Sequence, residues 1–266
     1  MRRVSTLVFF HAHPDDEAIG TGGTMARAAA EGHRTVLVVA TRGELGEVAD
    51  GFLEEGELLG DRRVKETLAA ADVLGVSRVE FLGYRDSGMW GEPTNEDEGC
   101  FWLADLDEAA SRLGRILVEE RADVLTVYDD NGGYGHPDHI QVHRVGVRAA
   151  ELAAIDRVFE GTMNRDAIER SMQTAVEAGL MAPEDMPTAD ERFGKSEQLI
   201  THAVEVHDRV DQKLAAMRAH ASQIGEDSFF LQMPRESFEE VFGTEWFIQR
   251  GVPRAEGAAM RTWLLD

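Results

Sequence analysis

Four short apolar runs, each set off from the next by a stretch with helical spacing, constrain this chain more than any other feature. They are residues 6–10 (Thr-Leu-Val-Phe-Phe), 35–40 (Thr-Val-Leu-Val-Val-Ala), 79–82 and Val124–Tyr128. The second run is apolar throughout, which predicts a strand buried on both faces, as in a parallel sheet covered by helices. Residues 18–31, 61–74, 103–120 and 139–154 read as the intervening helices, and Gly32 supplies a stop signal for the first. Strands alternating with helices imply βαβ units with right-handed crossovers. The expected fold is therefore α/β, a Rossmann-like, mostly parallel sheet flanked by helices. After about residue 157 the rhythm loosens. A helix over 167–178, a polar connection over 182–194, a strand over 200–206, a helix over 208–221 and a late strand over 246–249 are expected there. We read one domain over 1–266, with an α/β unit to residue 155 and a smaller C-terminal part, 156–266, packed on it.

Charge narrows the partners. The chain carries 50 acidic against 27 basic side chains, a net charge of −23. That balance excludes a phosphate-neutralising nucleic-acid binder and disfavours anionic membrane surfaces. No apolar run approaches the ~20 residues of a membrane span. The stretch at 7–10 is too short for a signal-peptide core. Cys100 is the only cysteine, so no internal disulfide forms, which fits a reducing, cytoplasmic setting. The acidic residues of 47–57 read as solvated loop. A homo-oligomer is left open.

Two clusters carry chemistry. His11-Ala12-His13-Pro14-Asp15-Asp16-Glu17 follows the first strand, and Tyr134-Gly135-His136-Pro137-Asp138-His139 follows the fourth. Both fall at carboxyl ends of strands, where open α/β sheets bind ligands. Two imidazoles and three carboxylates within seven residues are costly to gather without a cation. An N-cap role for Asp15 or Asp16 is the structural alternative. Pro14 stiffens the first turn and Pro137 suits a first helical turn. Imidazole and carboxylate from both ends make a ligand set for a borderline metal such as zinc. His139 and His143 have HxxxH spacing, but no Glu completes HExxH, and His143 reads as a bystander. Gly20-Thr21-Gly22-Gly23 suits either an anion at a helix start or close helix–sheet packing.

These motifs resemble the LmbE-like (PIG-L) family of zinc-dependent de-N-acetylases, most closely its mycothiol-pathway deacetylase and mycothiol conjugate amidase members. The likeness spans most of residues 5–155. Thr41-Arg42-Gly43-Glu44, Arg63-Val64-Lys65-Glu66, Arg85-Asp86-Ser87-Gly88 and Ala219-His220-Ala221-Ser222-Gln223 support it. Residues 160–200 do not follow the mycothiol enzymes. The resemblance implies His13, Asp16 and His139 as zinc ligands, and Asp15 as general base. It also implies His136 as the imidazole assisting the tetrahedral intermediate, Tyr134 as a mobile tyrosine near the oxyanion, and Arg63 and Asp86 as sugar-hydroxyl contacts. Iron(II) is an alternative occupant, since His and Asp ligands accept both metals. His11 has no assigned role.

The chemistry is consistent with those roles. Two histidines and a carboxylate leave an open coordination position, and zinc lowers a water's pKa from about 15.7 to around 7. A carboxylate beside it can take the water proton and return it to the leaving amine. A protonated His136 would stabilise the oxyanion. The expected function is hydrolysis of an N-acyl amide, deacetylating a small N-acetylglucosamine-containing molecule. Alternatives within the family are a mycothiol S-conjugate amidase or a de-N-acylase of another metabolite. A nucleotide-binding module lacks its glycine-rich signatures here. A non-catalytic metal scaffold would not need both Asp15 and His136.

Overall fold

The computed structural model describes residues 3–177 and 193–266. Strands β1 (Thr6–His11), β2 (Arg34–Val39), β3 (Arg78–Phe81), β4 (Val124–Tyr128) and β5 (Val158–Thr162) run parallel. Strands β6 (His202–Glu205) and β7 (Thr244–Gln249) complete a seven-stranded sheet in the order β3-β2-β1-β4-β5-β7-β6. β7 is antiparallel to both β5 and β6. The chain leaves β1 toward β2 on one side and returns to β4 on the other. The crevice at the carboxyl ends of β1 and β4 is therefore the topological switch point, where this architecture binds ligands.

Alternation along β1 divides the core. Leu7 and Phe9 face one apolar layer with Met25, Leu37 and Leu74, while Val8 and Phe10 face another with Val36, Leu113 and Val142. The first layer is covered by α2 (Gly22–Ala30), α3 (Leu59–Leu74) and α8 (Val210–Ala219). The second is covered by α4 (Leu106–Glu120) and by α6 (Pro137–Ala153), which follows the single turn α5 (Gly132–Gly135). All of β1 past Thr6 is buried, as its double-faced apolar character requires.

One helix reading is refined by the structure. The stretch read as one helix over 18–31 is two, α1 (Asp16–Gly20) and α2, with Thr21 between them in non-helical conformation. Gly32 stops α2 at φ +83°, as expected. The glycine run at the start of α2 does meet an anion, but an internal one. Glu245 of β7 accepts the N–H groups of Gly23 (2.9 Å) and Thr24 (2.8 Å), and Lys213 of α8 donates to the same carboxylate at 2.6 Å. A Cβ on Gly23 would lie 2.5 Å from Val206, so close packing is a second reason for glycine there.

The boundary read near residue 155 falls within this sheet, because β5, β6 and β7 all come from the C-terminal part. β5 escaped the apolar-run reading because Glu160 and Gly161 interrupt it. Helix α7 (Arg165–Glu177) matches the expectation at 167–178 to its last described residue. Most of the connection read at 182–194 lies outside the described residues. Among the described residues no helix is long and apolar enough to cross a membrane.

Candidate metal centre and active site

The two His-Pro-Asp segments meet at the switch point. His13 turns Nε2 toward Asp138 Oδ2 (3.1 Å) and Asp86 Oδ1 (3.5 Å), and Nδ1 toward Asp16 Oδ2 (3.4 Å). Asp138 is fully buried and also accepts the Ser87 N–H at 3.0 Å and the Ser87 hydroxyl. A His13 Nε2–H donated to Asp138 leaves the Nδ1 lone pair aimed at the Asp16 side, the carboxylate–imidazole arrangement that orients metal ligands. His139 is set the same way by different means. Its Nδ1 lies 3.2 Å from the Gly132 carbonyl, which can only accept, so Nε2 carries the lone pair. That Nε2 is buried, makes no hydrogen bond, and lies 3.4 Å from Asp16 Oδ1.

Asp16 thus has one imidazole nitrogen on each oxygen. Burial would raise its pKa, but the neighbouring His139 and His13 imidazoles hold it well below the ordinary carboxylate range. Burial would lower His13, yet hydrogen bonds to Asp138, Asp16 and Asp86 lift it well above its usual value. The carboxylates therefore demand a positive charge at this point, either a proton on His13 or a cation between the nitrogens. Nitrogens of His13, His136 and His139 lie within 4.8 Å of one another, as do ligand atoms of His13, Asp86 and Asp138. An unpartnered buried nitrogen beside a low-pKa carboxylate suits a cation at this point.

His136 caps helix α6, accepting the Asp138 N–H on Nδ1 at 3.1 Å. Burial and the neighbouring His13 and His139 lower its pKa to about 4. The ring is thus neutral, unlike the protonated imidazole expected from sequence, and what it offers the site is its Nε2–H. Its ring centroid lies 4.6 Å from that of His13. Tyr134 stands at the rim, 49 % exposed, its ring 5.0 Å from His139. Burial keeps its phenol protonated, with its pKa raised above the usual value.

Asp15 has φ +95°, a strained conformation for a residue with a Cβ. Such positions cost about 1–3 kcal/mol and persist only where surroundings enforce them. Its N–H donates to Glu17 Oε2 at 2.9 Å, and its carboxylate lies 3.3 Å from Arg63 Nη2. Burial pushes Asp15 up to about 6, with the Arg63 charge opposing. Arg63 itself is buried and donates to the carbonyls of Gly43 (2.8 Å) and Pro14. Its terminal nitrogens thus face the loop and Asp15, while its buried Nε makes no hydrogen bond. Asp86 accepts the N–H groups of Gly88 (2.9 Å) and Leu45 (3.3 Å) as well as facing His13.

Several further residues support the site through contacts that sequence reading did not foresee. Tyr128 stacks on His139 with ring centroids 4.2 Å apart and an angle of 6°. His11 spends both nitrogens, one 3.0 Å from Tyr128 Oη and the other 2.8 Å from Thr21 Oγ1, so it braces the site without reaching the cluster. Asp129 accepts the N–H groups of Asn131 and Gly133, shaping the turn whose Gly132 carbonyl orients His139. His143 faces the Tyr128 carbonyl at 3.0 Å. From the far end of the chain, His220 meets Glu17, Ser222 bonds Glu66, and Gln223 bonds the Glu47 carbonyl. His11, Glu17, Glu66, His143, His220, Ser222 and Gln223 lay in quoted motifs, but nothing local marked their partners.

Fold and site together define a hydrolytic enzyme of α/β architecture with a buried cluster able to hold a cation. More particularly, the chain belongs to the PIG-L family, described as GlcNAc-PI de-N-acetylase, whose model matches residues 8–150. It is 41 % identical, over 92 % of its length and 88 % of the relative's, to the 1D-myo-inositol 2-acetamido-2-deoxy-alpha-D-glucopyranoside deacetylase of Acidothermus cellulolyticus. The enzyme of the same name from Streptomyces avermitilis is 42 % identical over 93 % of this chain and 94 % of its own. In fold the chain is similar to N,N'-diacetylchitobiose deacetylase from Pyrococcus horikoshii. There the TM-score is 0.62 at 24 % identity, covering 95 % of this chain and 85 % of that one.

Proposed function

We propose that this protein is a zinc-dependent deacetylase of a small N-acetylglucosamine-containing molecule, with an N-acetylglucosaminyl inositol as the substrate class. The observation that carries the reading is the buried, unpartnered His139 Nε2 facing Asp16, with His13 Nδ1 on the other oxygen. The chemistry a cation supplies among these residues is Lewis acidity, which acidifies water and polarises the acyl oxygen. Asp15, raised to about 6, takes the proton of the attacking water and passes it to the departing sugar nitrogen. The neutral His136 ring donates Nε2–H to the oxygen on which charge develops. The C–N bond breaks, and acetate and a free amino-sugar leave. Tyr134, protonated at the rim, adds a second donor beside that oxygen.

At the wall of the crevice, Asp86 accepts a sugar hydroxyl, whereas Arg63 contributes by holding Pro14 and Asp15. The names of the near-full-length relatives favour acetyl removal over cleavage of a larger acyl conjugate. The test combines metal analysis of purified protein with amine release from two substrates, an N-acetylglucosaminyl inositol and a bulky thiol conjugate on the same scaffold. Zinc near one equivalent and preference for the first support the proposal. Preference for the conjugate would make the protein an amidase. Cleavage only of non-sugar acyl amides would overturn the amino-sugar reading.

A further inference from the structure

Only three described residues other than glycine have positive φ: Asp15, Arg121 and Ala154. The last two close helices α4 and α6 at φ +50° and +53°, an ordinary helix-end conformation. Asp15 is different, at φ +95° and ψ −32° inside the loop between β1 and α1. Something must hold it there. Its N–H donates to Glu17 Oε2 at 2.9 Å, and the other oxygen of Glu17 meets His220 Nε2 at 2.5 Å. Glu17 and His220 are both 0 % exposed and lie 203 residues apart. His220 is rigid in turn, closing α8 through its N–H to the Met217 carbonyl while its own carbonyl accepts from Gln223 and Ile224.

The cation cluster is fastened separately. Asp16 accepts the His13 N–H, His13 is oriented by Asp138, and His139 by Gly132 and Tyr128. None of these bonds runs through Glu17 or His220. A buried carboxylate–imidazole pair is also a poor way to gain stability alone, since well-packed apolar residues often serve as well.

We propose that the Glu17–His220 pair is a positioning device for Asp15, so that a histidine from the C-terminal part sets turnover without touching substrate or cation. This rests on the reading of Asp15 as the general base. A misplacement of about 1 Å can cost on the order of 100-fold in rate. For the metal-loaded protein acting on an N-acetylglucosaminyl inositol, His220→Ala should therefore lower kcat about 10- to 100-fold. KM and metal stoichiometry should stay at wild-type levels. His220→Gln, whose amide nitrogen can stand where Nε2 stands, should recover most of the loss. In an Asp15→Asn background, His220→Ala should cause no further loss.

The proposal is overturned by wild-type kcat in His220→Ala, by metal loss in proportion to activity, or by an equal further loss in the Asp15→Asn background. If His220→Ala fails to fold, Glu17→Gln carries the same comparison through kcat, metal content and melting temperature. In that variant, a kcat loss absent from the Asp15→Asn background supports the proposal, and wild-type kcat or a loss that persists there overturns it. Asp15→Asn alone separates the two ideas. Full turnover in it refutes the base assignment, whereas a dead Asp15→Asn beside a normal His220→Ala refutes only the positioning role.

Discussion

Replacing Asp138 by Asn preserves size and removes one charge, at a residue that is fully buried and sequence-adjacent to His139. The carboxylate accepts from Ser87 N at 3.0 Å, from the Ser87 hydroxyl, and from His13 Nε2 at 3.1 Å. An amide has one acceptor oxygen and one NH2 group. The Ser87 N–H and His13 Nε2 meet the same oxygen, Oδ2, so the amide oxygen takes that place and the NH2 turns to the Ser87 hydroxyl. The His13 tautomer is kept, but the carboxylate charge behind the imidazole is lost, which makes Nδ1, the nitrogen that Asp16 faces at 3.4 Å, a weaker electron donor. Asp86 at 3.5 Å is more distant and replaces that charge only in part. Disturbing such an outer partner typically weakens metal binding 10- to 100-fold, about 1.4–2.7 kcal/mol at 1.4 kcal/mol per decade. Zinc affinity measured by competition with a chromophoric chelator reads this directly, with circular dichroism checking the fold. Unchanged zinc affinity in folded Asp138→Asn would refute this charge argument and detach Asp138 from the metal centre.

His13→Ala and His139→Ala should each abolish stoichiometric zinc, and full occupancy in either would remove that residue from the ligand set. Asp15→Ala should retain metal and lose about 10²–10⁴-fold in kcat, whereas Asp16→Ala should lose the metal; the reverse pattern would exchange their roles. Arg63→Ala should depress kcat with little change in KM, because it steadies Asp15, while Asp86→Ala should raise KM about tenfold or more from a lost charge-assisted hydroxyl contact. His202 is buried with Nε2 unpartnered, and burial, then Arg261 and Arg157, lowers its pKa to about 4. Its unfolded form takes up a proton that the folded form refuses between pH 6.5 and 4, so its contribution is intact above 6.5 and lost toward 4. Melting temperature should fall less steeply over that window in His202→Gln than in the wild type.

Much of the site was legible because its chemistry sits in contiguous motifs at strand ends. His13, Asp16, His136 and His139 come together because β1 and β4 are neighbours, and parallel neighbours release their following loops on the same edge. Arg63 was legible as a site residue but its partners were not. Its sequence position on α3 says nothing of the Gly43 and Pro14 carbonyls that its terminal nitrogens meet. His136 was legible as an imidazole in the crevice, but its charge was not, since burial and two neighbouring rings determine it.

The sequence by itself determined the strand–helix alternation, the parallel sheet, and the presence of a histidine–carboxylate cluster at its carboxyl edge. These depend on local periodicity and on residues within a few positions of one another. Only the tertiary structure decided which nitrogen of each imidazole faces Asp16, and that β5, β7 and β6 extend the same sheet. It alone revealed that Glu245 is the anion at the start of α2 and that His220 stands behind Asp15. Several of those outcomes rest on hydrogen bonds between distant groups, 125 residues apart for His13 with Asp138 and 222 for Gly23 with Glu245. No local pattern encodes them, because the partner of a buried polar group is chosen by packing of the whole chain.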